Sequence, residues 1–202
     1  MSNGEAIKKL REGPGKWPDV SPMAFTDGGW FLPCNADLLM EHIRVNMGCI
    51  VELGSWLGMS TRWLYEHTMP HCQIIAIDHW KGSPENQNDP IVSTVYERFI
   101  NNCKEGKDRL IPLRMDTQSG LRLLKEVGLK PDLVFIDAGH DHDSAKADIL
   151  SCLEFGCPLV GDDFNPYDWL GVTKAVWEVA RDKNFTAKFK FKAWSIDPRS
   201  RT

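Results

Sequence analysis

Residues 51–64, VELGSWLGMSTRWL, decide the fold, because they run from an apolar strand through a glycine turn into a helical segment. Gly54 and Gly58 allow the backbone to bend tightly and a ligand to approach it closely. The dinucleotide fingerprint G-x-G-x-x-G is absent, since Ser55 and Trp56 follow Gly54, and so is the G-K-[ST] of a P-loop. A strand–glycine–helix turn is also common without any ligand, so this segment alone leaves both interpretations open.

The polar residues around the turn favour a ligand other than a pyrophosphate. Glu52 lies two positions before Gly54, where its carboxylate would repel a pyrophosphate but suits an amine or a sulfonium. Ser60 and Thr61 lie near the start of the next helix, whose N-terminus favours negative charge. The turn therefore suits a ligand that carries an amine or a sulfonium, although a turn without any ligand stays open.

Outward from this unit, short apolar runs alternate with amphipathic segments. The runs predict strands at CIVEL (49–53), QIIAI (73–77), RLIPL (109–113), DLVFI (132–136) and CPLV (157–160). Helical spacing falls near 36–47, 59–68, 92–105, 118–127, 142–154 and 169–183. Strands buried on both faces that alternate with helices predict a parallel α/β sheet. The pattern FTAKFKF (185–191), followed by AWSI, predicts an antiparallel pair at the edge of the sheet.

The composition narrows the function classes. With 202 residues, 42% hydrophobic and 26% charged, the chain can build one globular core. Its net charge of −4 disfavours a partner that is a nucleic acid. The sequence lacks an apolar run of the roughly 18 residues that a membrane span needs, and its N-terminus lacks the apolar stretch of a signal peptide. Six scattered cysteines predict free thiols and a cytoplasmic compartment: Cys34, Cys49, Cys72, Cys103, Cys152 and Cys157.

Acidic residues end the second and third predicted strands. Asp78 lies 24 positions after Gly54, at the edge where open α/β sheets bind ligands, and could hydrogen-bond a ribose diol. Asp116, in LRMDT, could accept a hydrogen bond from an adenine amino group. An equally direct interpretation makes Asp116 the N-cap of the helix that begins with TQSGLRLL.

A second acidic set follows the fourth and fifth predicted strands, in DLVFIDAGHDHD (132–143) and PLVGDDFN (158–165). Asp137, Asp162 and Asp163 would meet at one sheet edge, where mutual repulsion would raise the pKa of each carboxyl. A hard divalent cation such as Mg²⁺, Mn²⁺ or Ca²⁺ is the ordinary partner of such a set. The alternative is that Asp162 and Asp163 are solvated residues of a loop.

The motifs VELGSWLGMST, IIAIDHW, LRMDT and FIDAGH, in this order, resemble those of class I S-adenosylmethionine-dependent methyltransferases over roughly residues 36–197. The resemblance implies a Rossmann-like fold, with a seven-stranded, mostly parallel sheet of order 3-2-1-4-5-7-6 and helices on both faces. It also implies contacts to the methionine, ribose and adenine parts of the cofactor. The implied set is Glu52, Gly54, Ser55, Gly58, Ser60, Thr61, Asp78, His79, Trp80, Met115, Asp116 and Asp137.

An Asp after strand four, with an acidic pair 25 and 26 positions later, resembles the metal-dependent O-methyltransferases. FIDAGHDHDSAKADI and DHWKGSPE are more similar to the branch that acts on macrolide sugars than to the catechol-type branch, which usually carries Asn where Asp163 stands. The resemblance implies that Asp137, Asp162 and Asp163 bind Mg²⁺ or Mn²⁺ and that His140 removes the proton of the acceptor. Alternatively, His140 only orients its loop. His142 could exchange roles with it, or begin the next helix at the surface.

The expected acceptor is a hydroxyl of a sugar or glycan. The alternatives are a catechol-type small molecule, or a non-catalytic protein that binds S-adenosylmethionine; the net charge disfavours RNA. We assign residues 1–35, rich in Gly and Pro up to position 33, to an irregular N-terminal arm that contributes to the acceptor site, and residues 36–202 to the methyltransferase domain. The candidate acceptor contacts are Trp30, Phe31, Trp80, His142, Phe164 and Tyr167, with Trp63 and Trp177 expected in the core.

A weaker similarity concerns the methyltransferase domain of a chlorella-virus glycosyltransferase. It implies a terminal rhamnose as the acceptor, and a chain that is one part of a longer glycosylation enzyme in the host cytoplasm.

Overall fold

The computed structural model describes residues 2–26 and 28–201. Its strands form one seven-stranded sheet of order β3-β2-β1-β4-β5-β7-β6. Strands β1 to β5 are parallel, and β7 runs antiparallel to both β5 and β6. The predicted fold class and strand order are therefore confirmed. The strands are β1 (Cys49–Leu53), β2 (Gln73–Asp78), β3 (Leu110–Arg114), β4 (Leu133–Ile136), β5 (Leu159–Gly161), β6 (Phe185–Lys190) and β7 (Ala193–Arg201).

Helices cover both faces of the sheet, and local signals set several of their ends. Asp116 and Asp141 cap α5 and α6, each accepting a hydrogen bond from the backbone N–H three residues later. Asn184 ends α7 in the left-handed region, with φ of 55°. The helices are α1 (Asn3–Glu12), α2 (Pro33–His42), α3 (Met59–His67), α4 (Val95–Asn102), α5 (Thr117–Glu126), α6 (His142–Leu153) and α7 (Leu170–Lys183), with 3₁₀ turns at Pro90–Thr94 and Lys104–Gly106.

The core lies in two layers, one on each face of the sheet. Val51 and Leu53 of β1 contribute to the layer beneath α1, α5, α6 and α7, whereas Ile50 contributes to the layer beneath α2, α3 and α4. Successive side chains of a strand point to opposite faces, and both faces of this sheet are covered by helices. Every residue of β1 is therefore buried. This burial explains why the central strands read as continuous apolar runs.

The N-terminal arm is not wholly irregular, because α1 occupies Asn3–Glu12. The Ser2 hydroxyl accepts the Glu5 backbone N–H, and the Glu5 carboxylate accepts the Ser2 backbone N–H in return, which forms a capping box. Ala6 and Leu10 are fully buried against the sheet. The prediction of irregular structure was thus wrong for α1, and the S-x-x-E pattern at its start was the overlooked signal.

All six cysteines are buried free thiols, as predicted. Burial is the largest cause that raises the pKa of the Cys103 and Cys157 thiols. No helix within residues 2–26 and 28–201 has the length and apolarity to cross a bilayer.

Candidate functional site

The site forms where the parallel strands end, because their carboxyl ends share one edge of the sheet. Asp78 is the last residue of β2, Asp137 directly follows β4, and Asp162 directly follows β5. The turn after β1 lies between the first two of these residues in the strand order. Two groups of acidic side chains result, one around the glycine turn and one beyond β4 and β5.

Glu52, inside β1, is fully buried beneath the glycine turn. Its Oε2 accepts hydrogen bonds from the hydroxyls of Ser55 and Thr61, each at 2.5 Å. Burial raises the pKa of Glu52, and hydrogen bonds from Ser55, Ser60 and Thr61 oppose that rise. Its other oxygen, Oε1, is buried without a hydrogen-bond partner among the described residues. This oxygen can accept a hydrogen bond from a bound cationic or N–H group.

The two glycines of the turn are required by the packing of the chain itself. Gly54 has φ of +79°, and a Cβ there would lie 1.8 Å from the backbone oxygen of Asp137. Gly58 has φ of +84°, and a Cβ there would lie 2.4 Å from Sγ of Cys103. The sequence predicted the bend correctly, but close approach of β4 and α4, rather than of a ligand, is what excludes a side chain.

Asp78 holds the glycine turn in place. Its Oδ2 accepts the backbone N–H groups of Ser55 and Trp56, at 3.0 and 2.9 Å. Its Oδ1 accepts the N–H of Trp80 at 2.6 Å. The carboxylate predicted to hold a ribose therefore already has three donors from the protein, with lone pairs left over for a ligand.

The two residues after Asp78 differ in exposure. His79 is exposed at the surface, with Nδ1 3.6 Å from Oδ1 of Asp78. Trp80 is only 2% exposed, and its ring packs against Tyr96 and Phe99. The prediction that Trp80 contacts the cofactor or the acceptor is therefore corrected, because its ring is a core group whose Nε1–H donates to the backbone of Trp56.

Asp116 is the N-cap of α5, since its Oδ1 accepts the Ser119 N–H at 2.8 Å. That hydrogen bond is the main cause that lowers the pKa of Asp116. The structural interpretation of this residue is confirmed, and its exposed carboxyl stays open to a ligand. The neighbouring Met115 is half-buried against the core, and its N–H donates to the backbone oxygen of Asp78. The loops after β2 and β3 are thus tied together.

The second acidic group contains Asp137, His140 and Asp163. One ligating atom from each of these three residues lies within 4.8 Å of the other two. Nε2 of His140 is 2.9 Å from Oδ2 of Asp163. Asp163 has φ of +64°, a left-handed conformation that costs energy for a residue with a side chain. Asp137 and Asp163 are thus placed as carboxylate donors that could hold a divalent cation, with the imidazole of His140 beside them.

Asp162, predicted as the third carboxylate of the set, lies outside this group. It is 5% exposed, and its Oδ2 accepts the amide of Asn35 at 2.7 Å while Oδ1 accepts the Asp163 N–H at 2.7 Å. Trp194 fixes the same strand end by donating Nε1–H to the backbone oxygen of Asp162. Asn35 is fully buried on α2, and sequence reasoning missed it because a single Asn in a helix carries no motif.

Burial and mutual repulsion perturb these carboxyls strongly. Burial, then the charges of Asp162 and Asp163, raise the pKa of Asp137 well above its ordinary value. Burial raises the pKa of Asp162 to about 6, although its hydrogen bonds from Asp163 and Asn35 act in the opposite direction. A cation would relieve this repulsion, so the electrostatics of the group favour one.

His140 lies between Asp163 and the start of α7. Burial alone would lower the pKa of His140, but the hydrogen bond to Asp163 and the charges of Asp163 and Glu85 raise it overall. The Trp169 ring packs on the imidazole, with centroids 3.9 Å apart. By contrast, His142 points to Asp143 and Glu178 on the flank of α6 and α7, which confirms its interpretation as a residue that begins the helix.

The predicted acceptor residues of the arm have different surroundings. Trp30 is 70% exposed, and its ring lies 6.3 Å from that of Trp56 in the glycine turn. Phe31 packs against Phe135 and Trp63 and stays partly exposed, so its contact with an acceptor stays a prediction.

The predicted acceptor residues after β5 lie at an aromatic surface. Phe164 stacks within 4.2 Å of Phe189, and Trp177 lies 5.1 Å from Phe189. Tyr167 is 95% exposed. Trp177, expected in the core, is 54% exposed, because it faces outward from α7. The prediction that Trp177 lies in the core was therefore wrong. The aromatic surface formed by Phe164, Trp177 and Phe189 adjoins Asp163, because Phe164 is the next residue in the chain.

Two kinds of comparison with known proteins gave matches. A family model described as "Methyltransferase domain" matches residues 51–164, more than half of the chain. A comparison with proteins of curated function gave no match.

Solved structures share the fold at low identity. An O-methyltransferase from Bacillus cereus in complex with SAH has a TM-score of 0.56 and 17% identity, and the alignment covers 96% of this chain and 89% of that one. The O-methyltransferase TomG from Streptomyces achromogenes, in complex with SAM, has a TM-score of 0.60 and 15% identity, and the alignment covers 97% of this chain and 89% of TomG. CalS11, a TDP-rhamnose 3'-O-methyltransferase of calicheamicin biosynthesis, has a TM-score of 0.58 and 14% identity, and the alignment covers 80% of this chain and 76% of CalS11.

Proposed function

The chain belongs to the methyltransferase-domain family, and from this premise we propose that it is a metal-dependent O-methyltransferase that transfers a methyl group from S-adenosylmethionine to a sugar hydroxyl. The family match spans all four motifs that carried the resemblance to class I S-adenosylmethionine-dependent methyltransferases, which is thereby confirmed. The acceptor and the metal are our proposal.

The close grouping of Asp137, His140 and Asp163 carries the proposal. A divalent cation suits this donor set, because the pKa of Asp137 is raised by burial and by neighbouring carboxylates whose repulsion a cation would cancel. Asp137 and Asp163 would hold the ion, and Asp162 would support them through its backbone and its bond to Asn35. Such an ion lowers the pKa of a hydroxyl bound to it.

The cofactor assignment is supported by the polar atoms around the glycine turn. The buried Oε1 of Glu52 has no partner among the described residues and suits the ammonium group of a methionine moiety. Asp78 has spare lone pairs for ribose hydroxyls, and Asp116 has an exposed carboxyl for an adenine amino group. These residues lie along the edge from β1 to β3, beside the acidic group.

In the proposed reaction the protein positions the acceptor and removes its proton. His140 accepts the hydroxyl proton at Nε2 as the oxygen–methyl bond forms and the methyl–sulfur bond breaks, which leaves S-adenosylhomocysteine. The raised pKa of His140, which Asp163 and Glu85 cause against the effect of burial, strengthens it as a proton acceptor. Much of the rate would come from in-line alignment of the two reactants.

A sugar is the proposed acceptor because the motifs FIDAGHDHDSAKADI and DHWKGSPE resemble the branch that acts on macrolide sugars. The vicinal diol of a sugar, like that of a catechol, can bind a cation with both oxygens. Asp163 distinguishes this chain from the catechol-type pattern, and one structural neighbour is a TDP-rhamnose methyltransferase. The arm, through Trp30, and the residues Phe164 and Tyr167 after β5 would contact the acceptor. A cytoplasmic location is part of the same proposal. The comparisons give no support to a viral glycosyltransferase.

The test is incubation with labelled S-adenosylmethionine, Mg²⁺ or Mn²⁺, and a panel of glycosides and catechols, read by mass spectrometry. We expect methylation of glycosides that carry a vicinal diol and its loss in chelator. Methylation of catechols alone would replace the sugar by the alternative acceptor. Full turnover in chelator would remove the metal from the proposal, and cofactor binding without any methylated acceptor would favour a non-catalytic protein.

A further inference from the structure

The segment DHWKGSPE (78–85) ends in an acidic residue, Glu85, that reaches the acidic group from a different strand. We propose that Glu85 is a positioning residue for His140, whose Nδ1–H its carboxylate accepts, so that Nε2 stays directed at Asp163 and the acceptor. This inference rests on the proposed function, since it assigns a partner to the proposed base.

His140 has contacts at Nε2, on one ring face and along its backbone, but none within hydrogen-bonding distance at Nδ1 among the described residues. Its Nε2 meets Asp163 at 2.9 Å, and the Trp169 ring covers one face of the imidazole. Its backbone is pressed against α7, where a Cβ on Gly171 would lie 2.4 Å from the His140 carbonyl oxygen. Its Nδ1, however, is buried without a hydrogen-bond partner among the described residues. A buried ring nitrogen in this state costs free energy until it finds a partner.

Glu85 is the group placed to supply that partner. Its Oε2 lies 3.9 Å from Nδ1, about 1 Å beyond hydrogen-bonding distance. Its side chain is 47% exposed, so it can move toward the imidazole without disturbing the core. Hydrogen bonding by Ser83 lowers the pKa of Glu85, which keeps it ionised as an acceptor. Movement of the Glu85 side chain alone, on binding of the reactants, would complete the contact.

The loop that carries Glu85 is anchored at both ends and braced inside. The buried Trp80 precedes it, and Asp89 follows it and caps the 3₁₀ turn at Pro90–Thr94. Within the loop, the Ser83 N–H donates to Oδ1 of Asn86 at 2.6 Å. The loop therefore presents Glu85 at a defined place, across the glycine turn from its own strand β2.

The chemical consequence concerns the tautomer of the imidazole. A neutral imidazole carries one proton, and the partner of one nitrogen decides which nitrogen is free. In the free protein the 2.9 Å contact with Asp163 places the proton on Nε2. Once Asp163 holds the cation and Nδ1–H is donated to Glu85, Nε2 would keep the lone pair that must take the proton of the hydroxyl. Without Glu85, the proton can reside on Nε2 and block it, as when an orienting carboxylate is lost from a base of this kind.

The experiment compares Glu85→Ala and Glu85→Gln with Glu126→Gln, an exposed Glu of α5. For Glu85→Ala we expect kcat to fall about tenfold, a modest share of the 10²–10⁴ that a general base contributes, with KM for the acceptor within about twofold. Glu85→Gln should retain part of the rate, because its amide oxygen can still accept. Glu126→Gln should match the wild type.

A second readout is the tautomer of His140 itself. Long-range ¹H–¹⁵N spectra of histidine-labelled protein with Mg²⁺ and S-adenosylhomocysteine, assigned with His140→Gln, should show protonated Nδ1 in the wild type and a shift toward protonated Nε2 in Glu85→Ala. An unchanged tautomer, or a kcat equal to that of Glu126→Gln, would overturn the proposal. If the wild type methylates nothing, the proposed function fails, and the spectra alone decide whether Glu85 holds His140.

Discussion

The two acidic regions at the carboxyl edge of the sheet differ in how the protein treats its carboxylates. Around the glycine turn, Asp78 accepts three backbone N–H groups, and Glu52 accepts two hydroxyls on one oxygen. Beyond β4 and β5, Asp137 and Asp163 lie close together, and burial with mutual repulsion raises the pKa of Asp137. The first region is a hydrogen-bonded scaffold that leaves one buried oxygen, Oε1 of Glu52, without a partner among the described residues, and the second is a group of mutually repelling carboxyls that a cation would stabilise.

This difference teaches that acidic residues at equivalent strand ends can serve opposite purposes. A carboxylate that accepts hydrogen bonds from a turn stabilises that turn, so its removal should weaken the fold. Carboxylates that repel one another destabilise the free protein, so their removal should harm activity and leave stability intact or improved. Mutations around the glycine turn should therefore lower stability, whereas mutations in the second acidic group should lower activity without lowering stability.

The largest expected effect is that of Asp137→Asn. It should lower kcat/KM by about 10³-fold, since a bound cation contributes several kcal/mol and each 1.4 kcal/mol is worth tenfold. The same change should leave Tm unchanged or raised, because it removes a buried charge next to Asp162 and Asp163. Methyl-transfer kinetics and thermal unfolding check both parts. A variant that is active, or one that loses Tm as strongly as an Asp78 variant, would contradict the comparison.

A smaller effect, of a different kind, is expected for Asp78→Ala. Its removal leaves the N–H groups of Ser55, Trp56 and Trp80 without an acceptor, at a cost of about 1–3 kcal/mol for each that water cannot reach. Urea unfolding should show a loss of about 3 kcal/mol overall. Asp19→Ala, at an exposed position of the arm, is the matched control and should be neutral. A stable Asp78→Ala protein would show that the turn does not depend on this carboxylate.

The smallest effect is expected for Trp177→Ala, outside both regions. Because Trp177 is 54% exposed, its truncation should cost under about 1 kcal/mol, whereas that of Trp194, 1% exposed, should cost about 3–5 kcal/mol. Urea unfolding of the two variants measures the contrast. Equal losses would mean that Trp177 contributes to stability as a core residue does, as the sequence suggested.

The fold could be predicted almost entirely from the sequence, because burial on both faces imposes unbroken apolar runs such as CIVEL and QIIAI. Asp116 and Asp163 also occupy the strand ends where the pattern put them. What escaped the sequence depends on side-chain direction. A helical period does not say whether Trp177 faces inward, and a strand end does not say that Asp162 turns to Asn35. His140, by contrast, lies beside Asp137 and Asp163 as the sequence predicted.

Contacts between residues far apart in the chain were also not predicted from the sequence. Asn35 meets Asp162 across 127 positions of the chain, and Glu85 approaches His140 from a loop of another strand. No local pattern marks such pairs, since only the assembled sheet edge brings them together. The glycine turn shows the converse case, where the residue was predicted correctly and its reason, contact with the Asp137 backbone, required the fold.

The most direct test of the central claim is a calorimetric titration of Mn²⁺ into the protein with S-adenosylhomocysteine bound. The account predicts one cation per chain in the wild type and loss of that binding in Asp137→Asn, with an unfolding temperature at least as high as that of the wild type. Absence of cation binding by the folded wild type, or equal binding by Asp137→Asn, would contradict it.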